Sequence, residues 1–91
     1  MATLIKTNGE ISQLLPQNEK VFTLKELQAV VGGYIQMLRL PNGTTLVCNE
    51  DGIDLELPVN KDASRLVAGM YGRKTQMFVG DILLVSESET K

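Results

Sequence analysis

Tyr71, Arg73 and Lys74 fall within four residues of one another around Gly72, an aromatic ring and two cations beside a flexible point of backbone. Such a group suits a nucleotide, with the ring stacking on a base and the cations meeting phosphate. Tyr34 is the other tyrosine. Asn49 interrupts an apolar alternation and can offer its amide to a base edge or phosphate. Asn60 stands where a helix begins, and the amides of a helix start form a ready anion site. These six, Tyr34, Asn49, Asn60, Tyr71, Arg73 and Lys74, are the candidate ligand-binding residues. Each also has a plainer reading. The tyrosines suit the edge of a core, Asn49 suits hydrogen bonding in the turn that follows it, and Asn60 suits a helix cap.

Catalysis is not expected. The chain has no histidine and a single cysteine, Cys48. Ser-His and Cys-His nucleophile pairs, the usual zinc sites and an internal disulfide are therefore all excluded. Cys48 lies within an apolar run and reads as a small buried hydrophobe. Asp51, Asp54 and Asp81 can in principle hold magnesium, but Asp51-Gly52-Ile53-Asp54 lacks the alternate-position ligands of a calcium loop. No cofactor is expected. The net charge is −2 with scattered Lys and Arg, so the broad positive field of a general nucleic-acid binder is missing. Glu50, Asp51, Asp54 and Glu56 form an acidic counterpart to the cations, able to mimic nucleic acid in a basic channel.

The elements that must position these residues are legible in outline. Tyr34–Leu40 and Thr44–Glu50 flank Pro41-Asn42-Gly43, which predicts a central hairpin pairing Leu40 with Thr44, Leu38 with Leu46, Gln36 with Cys48 and Tyr34 with Glu50. Both faces of this hairpin are apolar. A chain of 91 residues supplies little more than one layer of helix, so one face is expected to pack internally and the other to be covered by a subunit or a ligand. The isolated chain is accordingly not expected to behave as a monomer. Thr3–Lys6 and Ile11–Leu15 flank Asn8-Gly9 as a first hairpin. Thr23-Leu24-Lys25-Glu26 has capping-box form, with Phe22 placed to staple against Leu27; Leu24, Leu27, Val30 and Val31 make the inward stripe, and Gly32-Gly33 makes the stop. Ile53–Leu57 alternates as a half-exposed strand does. Asn60 caps a second helix, Lys61 to about Ala68, with Ala63, Leu66 and Val67 inward and Gly69 ending it. Gln76–Val79 and Asp81–Ser86 read as strands. The expected fold is a single α+β domain over residues 1–86, an antiparallel sheet with two short helices, followed by a frayed tail at 87–91.

The strings VGGYI, LPNG, NEDG, LPVN, Ala63 and VGDILLV, running in that order from Val31 to Val85, resemble a family of small phage and mobile-element proteins catalogued as a domain of unknown function. The resemblance implies a setting more than an activity. Small phage proteins of this kind often counter host defence, some by binding CRISPR nucleases and others by sequestering cyclic nucleotide messengers. No residue roles come with it. The favoured expectation is a non-catalytic protein that captures a cyclic nucleotide immune signal; the alternative is an inhibitor that binds a host defence effector. No apolar run approaches the roughly 20 residues that span a bilayer, and Met1–Lys6 lacks signal-peptide character, so a cytoplasmic location without membrane contact is expected.

Overall fold

The computed structural model describes residues 2–18, 20–71 and 77–86, Tyr71 by its backbone alone. Seven elements follow one another: β1 (Ala2–Ile5), β2 (Ile11–Leu14), α1 (Leu24–Val31), β3 (Ile35–Arg39), β4 (Thr44–Asn49), α2 (Lys61–Tyr71) and β5 (Ile82–Ser86). The strands form one five-stranded sheet in the order β2-β1-β5-β4-β3, with every neighbouring pair antiparallel. The fold is α+β, as the sequence predicts.

Both hairpins turn in the same way. Leu40 N–H donates to Thr44 O at 2.8 Å and Gly43 N–H to Leu40 O at 3.1 Å; Lys6 N–H donates to Glu10 O at 2.9 Å and Gly9 N–H to Lys6 O at 3.1 Å. Each is a three-residue loop closed by a glycine in the left-handed region, Gly43 at φ 85 and Gly9 at φ 93. The preceding asparagine helps in each. Asn42 Oδ1 accepts from Thr44 N–H and Asn8 Oδ1 from Glu10 N–H. This chemistry sets the register of the second hairpin, in which Gln36 faces Cys48 and Leu38 faces Leu46 as expected.

The sheet is covered on both faces by the chain itself. Phe22, Leu27 and Val31 from the α1 side meet Ala2, Leu4, Val47, Leu83 and Val85. On the other face Ala63 and Val67 of α2, with Phe78, meet Ile5, Leu40, Leu46, Cys48 and Ile82. The expectation that a subunit or ligand must cover the second face is therefore corrected: α2 does so. Each helix needs only a narrow stripe for this, which leaves Leu24 and Leu66, both expected inward, 59% and 41% exposed.

The α1 start matches its sequence signature. Thr23 Oγ1 accepts from Glu26 N–H at 3.2 Å, while the Glu26 carboxylate accepts from Thr23 N–H and Gln17 N–H, both at 3.0 Å. Gly32 ends the helix at φ 80. The α2 end differs from expectation. The helix runs through Gly69 to Tyr71, because Gly69 does not take the left-handed conformation that would stop it.

Ile53–Leu57 is not a strand. Leu55 N–H bonds Asp51 O, Glu56 N–H bonds Ile53 O, Leu57 N–H bonds Gly52 O, and Glu56 has φ 54. Alternation makes a strand only where a neighbouring edge accepts it, and here the backbone bonds to itself. The expected strand at Gln76–Val79 reduces to a single bridge between Val59 and Val79, Gln76 lying outside the described residues. The expected tail at 87–91 lies outside them as well.

Two measurements check this account. Gly80 has φ 77, and a Cβ added there would come 2.8 Å from Leu57 Cδ1, whereas one on Gly69 would meet nothing within 4 Å. Urea unfolding is expected to show Gly80→Ala destabilised by about 2 kcal/mol and Gly69→Ala stabilised by about 0.5–1 kcal/mol. The Gln17 and Thr23 amides hold the Glu26 carboxyl below its ordinary value of 4.5. Its contribution to stability is then full above pH 4.5 and lost as pH falls through the lowered value, so Glu26→Gln is expected to flatten the acid limb of the stability profile.

Candidate functional site

Of the six candidate residues, the structure describes the side chains of Tyr34, Asn49 and Asn60. Asn60 is fully buried at the start of α2. Its Oδ1 accepts from Ala63 N–H at 3.1 Å, and Nδ2 donates to Ile5 O at 2.8 Å and Gly80 O at 2.9 Å. The side chain thus caps α2 while tying the end of β1 to the residues that lead into β5. Asn49, at the end of β4, is 5% exposed. Its Nδ2 donates to Val31 O at 3.1 Å and its Oδ1 accepts from Asp51 N–H at 2.8 Å, so it closes the C-terminal end of α1 onto the turn after β4. The Gly33 backbone lies against that amide.

Tyr34 is 68% exposed, and its carbonyl accepts from Glu50 N–H at 2.8 Å. Tyr71 ends α2, with its side chain outside the described residues, and Arg73 and Lys74 lie outside them altogether. In sequence these two cations precede Met77 by four and three residues.

Met77 matters because it lines a shallow depression of about 50 Å³, together with Gln36, Cys48, Asn49, Glu50, Ile53, Phe78 and Val79. Its lining mixes polar and apolar side chains. Ile53 is 78% and Met77 62% exposed, and Tyr34 stands across the ladder from Glu50. Cys48 is 9% exposed, and burial raises its thiol pKa, which keeps the sulfur protonated and poorly nucleophilic near neutrality. Gln36, Ile53 and Met77 carry no signal in sequence that marks them for this place. The turn after β4 then projects Glu50, Asp51, Asp54 and Glu56, all exposed, with Leu55 57% exposed among them.

A larger cleft of about 270 Å³ lies between the end of α1 and the residues before β5, lined by Thr7, Val30, Leu57, Pro58 and Asp81 among others. There Asp81 Oδ1 accepts from Thr7 N–H at 3.1 Å. Among the described residues no three His, Cys, Asp or Glu side chains gather as metal ligands, so Asp51, Asp54 and Asp81 do not form one site. No described helix is long and apolar enough to cross a membrane.

Asn60 is expected to be a stability residue. Asn60→Ala removes the buried amide that donates to Ile5 O and Gly80 O together with the α2 cap, and calorimetry is expected to show a loss of about 3 kcal/mol or more.

Comparison with curated proteins and with solved structures gave no match. A family profile matches residues 3–91, nearly the whole chain, and its description carries no activity: the chain belongs to the family described as a domain of unknown function, DUF3846.

Proposed function

We propose that this chain acts by binding rather than by catalysis, and that its binding face is the turn after β4 together with Tyr34 and the rim of the shallow depression. The observation that carries this reading is the combination of four exposed carboxylates, Glu50, Asp51, Asp54 and Glu56, with exposed Ile53 and Leu55 on one self-bonded turn. Carboxylates steer toward a basic surface, and the apolar side chains supply area to bury once it is reached. The partner that fits is a protein with a basic channel or groove, and in the phage setting that the sequence resemblance implies, this is a host defence effector such as a CRISPR nuclease.

Capture of a cyclic nucleotide signal is the second reading. The 68% exposure of Tyr34 favours it, as does the place of Arg73 and Lys74 just before Met77. The described face supports it less strongly. Glu50 is among the residues that line the depression, its negative charge disfavours phosphate there, and about 50 Å³ is small beside the several hundred Å³ of an ordinary ligand site.

One pair of experiments separates the two. Thermal unfolding is recorded against a panel of cyclic di- and trinucleotides, and the Asp54→Lys/Glu56→Lys double variant is tested for loss of protection of a phage against a CRISPR-armed host. The inhibitor reading expects no nucleotide shift, protection by the parent chain and loss of protection in a variant whose melting temperature is unchanged. A ligand at a hundred times its Kd adds about 2.7 kcal/mol, roughly 4–8 °C per kcal/mol for a domain of this size. One such selective shift, removed by Arg73→Ala/Lys74→Ala, would instead establish nucleotide capture.

A further inference from the structure

Five asparagines occur in the chain, and two of them, Asn8 and Asn42, are followed by glycine. Both pairs sit at exposed hairpin tips, one between β1 and β2 and one between β3 and β4. A Cβ built on Gly9 or Gly43 would meet nothing within 4 Å, so the space beside each glycine is open.

The two tips are built alike. Asn8 Oδ1 accepts from Glu10 N–H at 2.9 Å, and Asn42 Oδ1 accepts from Thr44 N–H at 3.0 Å. Each donor polarises the side-chain carbonyl and lies where negative charge collects if a nucleophile adds to Cγ, as the donors of an oxyanion hole do. The nearest nucleophile is the backbone nitrogen of the glycine that follows. Restraint comes from the same turns, because Gly9 N–H donates to Lys6 O and Gly43 N–H to Leu40 O, both at 3.1 Å. A nitrogen whose proton is held in this way attacks only when the turn opens. The other asparagines differ. Asn49 and Asn60 are 5% and 0% exposed, both ends of each amide are hydrogen-bonded, and Glu50 and Lys61 follow them in place of glycine. Asn18 is followed by Glu19.

We infer that the two Asn-Gly tips are self-modifying sites, at which opening of the hairpin lets asparagine lose ammonia and become aspartate or isoaspartate, Asn8 ahead of Asn42. Water or hydroxide takes the proton from the glycine nitrogen, which adds to the asparagine Cγ. The Cγ–Nδ2 bond then breaks and ammonia leaves, closing a succinimide ring. Water opens that ring at either carbonyl: at Cγ the product is aspartate, and at the main-chain carbonyl it is isoaspartate. Nothing is oxidised or reduced. The order follows from the strands. β2 ends the sheet, has four residues and exposes the first three, so the β1–β2 tip opens with little loss of buried surface. The bond from Thr7 N–H to Asp81 anchors the β1 side of this tip, not the β2 side, and the exposed Lys6–Glu10 ion pair at 3.9 Å adds little. The β3–β4 tip follows Leu40, which is 3% exposed in the core on the α2 face, and its ladder has five pairs against four. Either product adds a negative charge. Isoaspartate also lengthens the main chain of the loop by a methylene, which a glycine-closed turn of fixed length does not accommodate. None of this depends on which ligand or effector the chain binds.

The purified chain is aged in mildly alkaline buffer, folded and in urea. Peptide mapping by mass spectrometry locates the acid products, enzymatic methylation detects isoaspartate, and released ammonia is measured. In urea both asparagines are expected to convert at similar rates, since both precede glycine. In the folded chain both convert more slowly, Asn8 several-fold faster than Asn42, with no conversion at Asn49 or Asn60 over the same period. The rate rises with pH, as removal of the glycine proton requires. Asn8→Ser is expected to abolish the first phase of acid product and leave the second, and Asn42→Ser the reverse. A folded chain that converts at neither tip while the urea sample does overturns the proposal. So does conversion of Asn42 before Asn8, conversion of Asn49 or Asn60 that keeps pace with them, or a folded chain that converts as fast as the unfolded one. Should either variant fail to fold, the aged parent chain decides.

Discussion

Everything in this fold depends on β5 lying between two hairpins that do not otherwise pair. β1 bonds β5 through Thr3, Leu4 and Ile5, and β4 bonds it through Thr44 to Val47. Ile82, Leu83 and Val85 are fully buried, because this strand has a neighbour on each side and a helix over each face. A strand in that position must be apolar on both faces, and Ile82-Leu83-Leu84-Val85 is. Without it the β1–β2 and β3–β4 ribbons would be separate two-stranded units, which are marginal at best in water.

The route into β5 is held as firmly as the strand itself. Asn60 donates to Gly80 O and Ile5 O, Gly80 N–H donates to Pro58 O, and Asn60 N–H donates to Phe78 O. Leu57 sits against Gly80 where any side chain would intrude. These contacts fix the angle at which the chain leaves α2 and turns into the sheet. On the opposite face Asn49 has the corresponding position, joining the end of α1 to the end of β4. Two buried asparagines thus clamp one helix to each face, and the amides that look available for a ligand in the sequence are engaged in the fold.

Where a local rule settles the conformation, the sequence is read correctly. The Thr23–Glu26 box, Asn42-Gly43 with its register, and the Asn60 cap each follow from a few neighbouring residues. Where the outcome depends on what lies alongside, reading fails. Ile53–Leu57 has strand periodicity but no edge to join, so it folds on itself. Gly69 sits in a helix that nothing requires to stop. The greater loss is topological. No short-range signal says that residues 82–86 insert between strands begun at residues 2 and 44, or that α2 therefore crosses to the face left bare. The proposed binding surface is legible in Tyr34 and the acidic residues, whereas Ile53 and Met77 come to it only because the turn after β4 folds on itself, against its strand-like alternation, and beside the residues that lead into β5.

The position of β5 has a consequence for biosynthesis. β5 is the last of the five described strands in chain order, so both ribbons are synthesised before the strand that joins them. Val47 and Leu46, fully buried in the finished protein, have no partner strand on that side in the meantime. Domains whose decisive pairings span most of the chain fold slowly and expose aggregation-prone edges while they wait. In such a nascent chain β4 would offer an unpaired apolar edge to any neighbour on the same messenger. Translation speed through the codons for α2, and chaperones that shield extended apolar segments, would then govern how much of the protein reaches its folded form.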